Sequence, residues 1–290
     1  MNMMQNEVKE THEWAVRCRS VVLRALDSLL AGRSRQKTLH RLRTHLRRLQ
    51  AYLELVGEDR NAQIMAKCVS RLSSLRTLQV FQRYLTQVGA PNSDVRKVKD
   101  CIRRKRAKLD RKQVYHKIER RVRRHALPST EVSTDWMAKR MERVREEHAR
   151  TLQELIAKGM SNPPRKSLHA LRLKIKSIRY QEEWALSQAY ARPNLVGCLE
   201  DAQSVLGDYE ERAQFRKLAR SLDLKSCPTI VKDWRRARTC ARALPGQLTE
   251  IIEALAGSCL RLVGSKSPSS HATVRSLGRA LGRGPVHLSS

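Results

Sequence analysis

Lys37-Thr-Leu-His40-Arg41-Leu-Arg43-Thr-His45-Leu-Arg47-Arg48 returns later in the chain as Lys166-Ser-Leu-His169-Ala-Leu-Arg172-Leu-Lys174-Ile-Lys176. At an offset of about 129 residues, Lys37 falls on Lys166, Leu39 on Leu168, His40 on His169 and Leu42 on Leu171. Arg43 then falls on Arg172, Leu46 on Ile175 and Arg47 on Lys176. A duplicated stretch constrains the whole chain, because each copy asks for the same partners.

The spacing says what each copy presents. Leu39, Leu42, Leu46, Leu49 and Leu53 recur every three or four residues, the stripe of a helix packed against others. Lys37, His40, Arg43 and Arg47 share a second face, roughly a quarter-turn away at about 100° per residue. Arg41, His45 and Arg48 point elsewhere and read as solvated charge. In the second copy Leu168, Leu171, Ile175 and Ile178 form the seam. Its row is Lys166, His169, Arg172, Lys176 and Arg179. Two such helices facing each other make a cationic channel.

The totals narrow the partner. A net charge of +31 over 290 residues repels itself, so the chain is expected to live with a polyanion. Nucleic acid, inorganic polyphosphate and an anionic membrane surface are the candidates. Aromatic residues make up only 4%, too few for the stacking platforms of a single-strand binder. Hydrophobic residues make up 40% and are periodic, so a packed core is expected. No run of about 18 apolar residues is present to span a bilayer. Residues 1–13 lack the apolar core of a signal peptide. The seven cysteines are scattered and never spaced Cys-x-x-Cys, which argues against a disulfide framework or a zinc site and for reduced thiols in a cytoplasm.

Apolar periodicity predicts helices over about 6–31, 35–56, 59–88 and one long basic helix from Asn92 or Ser93 to about His125. Leu127-Pro128-Ser129-Thr130 reads as the boundary. A second set follows over about 134–157, 163–191, 193–222 and 229–263, with Pro245-Gly246 kinking or dividing the last. The expected architecture is all-α: two pseudo-symmetric four-helix bundles, 1–127 and 128–265, packed around a basic central channel. Residues 266–290 turn to Ser, Gly and Pro with scattered Arg and read as a flexible basic tail.

The repeated Lys-x-x-His-x-x-Arg-x-x-x-Arg/Lys helix resembles the CHAD family, the conserved histidine α-helical domain. Further pieces agree. Leu75-Arg76-Thr77-Leu78-Gln79-Val80 sits where the family has an Arg-Asp-x-Asp-Val type segment. Leu199-Glu-Asp-Ala-Gln203-Ser-Val-Leu206-Gly207-Asp208 is similar to its Leu-Gln-x-x-Leu-Gly-Asp run, and Arg179-Tyr180-x-x-Glu183 to its Arg-Tyr-x-x-Glu. Thr77 and Gln79 stand where acidic residues are usual, and Gln50-Ala51 replaces Arg-Tyr in the first copy. The resemblance covers about residues 6–265. It implies two pseudo-symmetric bundles that bind inorganic polyphosphate, without catalysis, through a basic central channel. The triphosphate-tunnel enzyme domain that often accompanies such domains has no matching Glu-x-Glu-x-Lys strand here, so a stand-alone module is expected.

On these grounds the phosphate contacts are expected from Lys37, His40, Arg43, Arg47, Arg76, Lys166, His169, Arg172, Lys176 and Arg179. The arginines suit forked contacts to phosphate oxygens and the lysines act as point charges. A lone histidine on such a helix is more simply a core-edge residue bonded to a neighbour, but its repetition within the same cationic row favours the anion. Arg76 fits the channel and a helix-end ion pair equally well. Glu182-Glu183 and Glu210-Glu211 are carboxylate pairs among salt-bridge partners, and no phosphate loop, nucleophile elbow or metal-ligand cluster stands beside them. No enzyme activity, cofactor or metal is therefore expected. The alternative is nucleic-acid backbone binding by the exposed basic helix 94–125. A cytoplasmic location, at polyphosphate granules, follows from the first reading, and a homo-oligomer is compatible with both.

Overall fold

The computed structural model describes residues 2–33, 36–128, 132–157, 165–188 and 192–256. The described helices are α1 (Asn2–Leu30), α2 (Gln36–Leu55), α3 (Asp59–Gln87), α4 (Asn92–Arg111) and α5 (Val114–His125), then α6 (Thr134–Ala157), α7 (Arg165–Ser187), α8 (Pro193–Ser221), α9 (Cys227–Arg242) and α10 (Pro245–Ala256). No strand interrupts them among the described residues. All belong to one compact unit, Met1–Ala256. The tail expected over 266–290 lies outside the described residues.

The all-α reading holds, but the fourth element of each half is two helices. In the first half the expected long helix 94–125 breaks at Gln113, whose φ of 50° is left-handed. The Gln113 amide donates to the Asp110 carbonyl at 2.8 Å and closes α4. Val98, Ile102 and Leu109 before the break and Val114, Ile118 and Val122 after it keep an apolar period, which is why periodicity alone reads one helix. In the second half the division falls just before Pro245, where division or a kink is expected.

Helix ends repeat as well. Past α3, Gly89 at φ 64° donates to Thr86 and Ala90 donates back to Leu85, the pair of bonds that closes a left-handed C-cap. Gly32 and Gly57 end α1 and α2 in the same way. Past α8 the same position is taken by Asp223, at φ 47°, with Leu224 bonding back to Ala219. Packing follows the same order in both halves: α1–α2, α2–α3, α3–α4 and α1–α5 correspond to α6–α7, α7–α8, α8–α9 and α6–α10.

Two apolar clusters form the core, and their border does not follow the chain. The larger holds the seams of α1–α5 together with Met137, Met141, Trp184, Phe215 and Ile230 from the later helices. The smaller holds the start of α7, the first turns of α8, and α10. Trp184, Tyr52 and Phe215 are fully buried where the halves meet. Polar ties cross the same region. Arg48 Nε meets Glu183 at 2.8 Å, Ser177 Oγ donates to Glu54 at 2.8 Å, and Gln181 Nε2 donates to the Ala51 carbonyl at 3.2 Å. At the far corner, buried Asp94 accepts the Ser226 amide that opens α9, while Lys97 donates to the last carbonyls after α8 at 3.1 and 2.7 Å. Helices α2 and α7, the two copies of the repeat, pack directly on each other.

Candidate anion-binding site

The apolar seams of α2 and α7 orient both rows. Leu39, Leu42, Leu46 and Leu49 are buried on one helix, and Leu168, Leu171, Ile175 and Ile178 on the other. Burying those stripes leaves the neighbouring face of each helix at the seam's edge, so the rows are partly withdrawn from water. Arg43, Arg47, Arg172 and Lys176 are half-buried. Lys37, His40, Lys166 and His169, nearer the helix starts, remain exposed.

The rows meet in the middle. Lys176 on α7 feels Arg47 and Arg43 of α2, and Arg43 feels Arg172 in return. Burial, then Arg172, Arg47, Arg43 and Arg179, holds the Lys176 ammonium well below the ordinary lysine range. Burial, then Arg47, Arg76 and Arg172, also pulls Arg43 down from its usual range. A guanidinium keeps its proton nonetheless, so this depression records repulsion between fixed charges. Arg172 is lowered by burial and then by Arg47. A cleft of about 130 Å³ opens beside them, lined by Arg47, Lys176 and Tyr180 among others.

These groups have little acid against them: Glu210 and Glu211 offset part of the Arg172 charge, Glu211 part of that of Arg76, and Glu54 lines the cleft. Among the described residues, Arg43, Arg47, Arg76, Arg172 and Lys176 form no ion pair. Arg43 spends one amine on the Ser73 hydroxyl at 3.2 Å, and its Nε, like that of Arg172, is buried without a partner. Buried charge without compensation is unfavourable, and native proteins pair it or supply a ligand. A convergent set of guanidinium and ammonium donors with free valences fits an anion rich in oxygens.

Helix α3 supplies a third wall. Arg76 is half-buried and lowered by burial and then by Arg83, one α-helical heptad onward on the same face. Arg76 forms no ion pair among the described residues, and its charge reaches Arg43 and His40 of α2, while Glu211 offsets part of it. Arg83 is the residue the sequence reading missed, and its seven-residue spacing from Arg76 was the available signal. Loss of surrounding water, then Arg76, Arg43, Lys176 and Arg83, pushes the His40 imidazole from the usual 6.5 to about 4. His40 is exposed at the edge of the row, and the four cations act on it in one direction.

The second row is different at its ends. His169 Nδ1 lies 3.7 Å from Glu210 Oε1, and Arg165 pairs with the same carboxylate at 2.9 Å. Glu210 is buried, and Gln214 donates to it at 2.8 Å. Arg179 lies between Glu183 at 3.2 Å and Glu200 at 3.1 Å, with its guanidinium over the Tyr180 ring. Its charge still reaches Lys176, although its hydrogen-bonding valences are largely occupied. Lys37 and Lys166 stand exposed at the helix starts, at the mouth of the row. Arg48 and His45, read from sequence as solvated charge, are half-buried instead. Arg48 holds Glu183, and His45 donates from Nδ1 to the Arg41 carbonyl at 3.0 Å.

Comparison with known proteins agrees with this architecture. The sequence model of the family described as CHAD domain matches residues 15–220. Among solved structures, the chain is similar to the crystal structure of the CHAD domain from the plant Ricinus communis, with a TM-score of 0.57 and 16% identity. That likeness covers 87% of this chain and 92% of the plant one. No match is found among curated proteins.

Proposed function

The chain belongs to the CHAD domain family, and we propose that it binds inorganic polyphosphate, without catalysing a reaction, where the two rows converge. One observation carries this reading: Arg43, Arg47, Arg172 and Lys176 come together from two helices, partly buried, and none of them forms an ion pair among the described residues. A linear polyanion suits the shape, because each row runs some ten residues along a helix, or about 15 Å at 1.5 Å per residue. Repeated phosphates meet repeated cations over that length. A chain that engages one row reaches the other intramolecularly, which raises avidity without new contacts. The proposed partner favours a cytoplasmic location, at polyphosphate granules.

Salt and competition test the reading together. Affinity for long-chain polyphosphate should fall steeply between about 50 and 500 mM salt, because several cations release counterions at once. Protein preloaded with duplex DNA should exchange it for long-chain polyphosphate. Retention of the DNA against excess polyphosphate, or a flat salt response, overturns the assignment in favour of the exposed cations of α4 and α5.

A further inference from the structure

A second cationic opening lies away from the rows, between α3, α4 and α8. It is a cleft of about 550 Å³. It shares no lining residue with the row cluster. Arg104, Lys105 and Lys108 of α4 and Lys217 of α8 line it, and no Asp or Glu does. None of these cations forms an ion pair among the described residues, whereas neighbouring Arg103 is paired with Asp100 at 3.2 Å. Arg104 leans only on the Cys101 thiol, 3.3 Å away.

The other lining is not what a bare polyphosphate needs. Leu78 and Leu218 are half-buried, packed on the main core, and contribute apolar surface to the cleft. Ser74, Thr77 and Gln214 add hydroxyl and amide groups, with Thr77 bonded to Gln214 at 3.1 Å across the α3–α8 junction. The walls are held in place: Lys97 caps the end of α8 and Asp94 fixes the first turn of α9, so α4 is clamped to the α8–α9 corner. A fixed cleft within the usual range of about 300–1,000 Å³ for small-ligand sites, part apolar and part polar, is of the kind that takes a small molecule. Inorganic polyphosphate is polar along its whole length and gains nothing from leucines. A nucleoside polyphosphate has a planar base to lie on them and a phosphate chain for the cations.

We infer that the cleft between α3, α4 and α8 is a nucleoside-polyphosphate site, with the phosphates held by Arg104, Lys105, Lys108 and Lys217 and the base lying on Leu78 and Leu218. The site is separate from the rows, so its ligand and long polyphosphate occupy the protein together.

Calorimetry on the full chain tests this with ATP and inorganic tripolyphosphate as probes. ATP should bind about tenfold more tightly than tripolyphosphate at the cleft, the difference being the apolar area of the base removed from water. Changing Arg43, Arg47, Arg172 and Lys176 all to Ala should leave ATP affinity within about twofold, because none of the four lines the cleft. Lys105→Ala with Lys217→Ala should lower ATP affinity at least about tenfold, through loss of charge-assisted phosphate contacts. Ser74→Trp, at an exposed position, should do the same by filling the cleft while keeping every cation. Thermal unfolding confirms that each variant is folded. Equal binding of ATP and tripolyphosphate, with no effect of Ser74→Trp, would reduce the cleft to a cationic patch. Loss of ATP binding in the row variant would assign the nucleotide to the rows. Binding of an oligonucleotide or of anionic vesicles that depends on Lys105 and Lys217, without ATP binding, would give the surface to another ligand class. Each of these outcomes overturns the inference and leaves the polyphosphate reading, which is measured on the rows, standing on its own test.

Discussion

The two copies of the repeat carry the same residue types, yet they sit in opposite electrostatic surroundings. On α2 the row faces Ser73, Arg76 and Arg83 of α3, and its cations remain unneutralised. On α7 the row is flanked by Glu200 and Glu210 of α8 and by its own Glu183, which hold Arg165, His169 and Arg179. Only the middle of the second row, Arg172 and Lys176, forms no ion pair among the described residues, although Glu210 and Glu211 offset part of the Arg172 charge, and it is there that α2 approaches. A repeated helix thus fixes where cations project. The helix packed beside it decides whether those cations are free to take a ligand.

The largest effect should come from the buried ion pair that, among the described residues, the second half alone contains. Arg145 forks onto Glu182 at 2.7 Å through both Nε and Nη2, with both residues buried, and the position of Glu182 in the first copy is Leu53. Glu182→Leu makes the halves alike but leaves the buried Arg145 guanidinium held only by the half-exposed Glu142, 2.6 Å from its Nη1, and should destabilise the fold by about 3 kcal/mol. Adding Arg145→Leu should restore most of that loss. Urea unfolding of both variants measures it. A double variant no more stable than the single one would mean that the pair specifies the packing of α6 on α7 beyond its charge.

Next come the bare centres. Arg43→Ala with Arg47→Ala, and separately Arg172→Ala with Lys176→Ala, should each weaken long polyphosphate about a hundredfold, at roughly 1.5 kcal/mol or more per charge-assisted contact. Tripolyphosphate, too short to use both rows fully, should lose less. All four changes together should lose less than the two pairs added, because either pair already abolishes the bridge. Calorimetry with long and short chains separates these cases. Strict additivity with no dependence on chain length would mean two unconnected patches.

A smaller gain is expected from the acid that distinguishes α8. Glu210→Gln keeps hydrogen-bonding capacity but releases Arg165 and His169 from a carboxylate, and should tighten long polyphosphate about threefold, the scale of one partly exposed ion pair. Weaker binding would show that Glu210 holds the second row in position more than it neutralises it.

The smallest effect is in pH. His40 is neutral in the free protein near pH 7, since its imidazole is held down to about 4 by lost hydration and by Arg76, Arg43, Lys176 and Arg83. A bound polyanion reverses the field of those cations and raises the imidazole pKa. Binding then takes up a proton, so affinity should increase as pH falls from neutrality towards about 4 and level off below it. Stability of the free protein runs the other way. The unfolded chain binds more protons here between about 6.5 and 4, so folding weakens across that window as pH falls. His40→Gln should flatten the binding response while leaving affinity at neutral pH nearly unchanged, whereas the stability response should only shrink, because burial holds the His148 imidazole to about 4 as well. Titration in buffers of different ionisation heats counts the protons, and uptake undiminished in His40→Gln would move the effect to another group.

Much of the molecule was legible beforehand because it is local. The leucine spacing that defines α2 also sets the direction of Arg43 and Arg47, so the helix and its cationic face came from one pattern. Gly32, Gly57 and Gly89 marked three helix ends because each closes its helix in a left-handed backbone that glycine adopts without strain. Gln113 and Asp223 do the same without glycine, and the break after α4 passed unread for that reason. The duplication, the all-α class and the cationic excess likewise needed nothing beyond the chain itself. Which cations remain unpaired is a matter of contact between helices distant in sequence. Arg48 finds Glu183 across 135 positions, Arg165 finds Glu210 across 45, and Arg83 joins His40 from another helix. A residue's type and period fix the face it projects from. Its charge becomes a site, a strut or a solvated end only when the tertiary packing removes water and supplies, or withholds, the opposite charge.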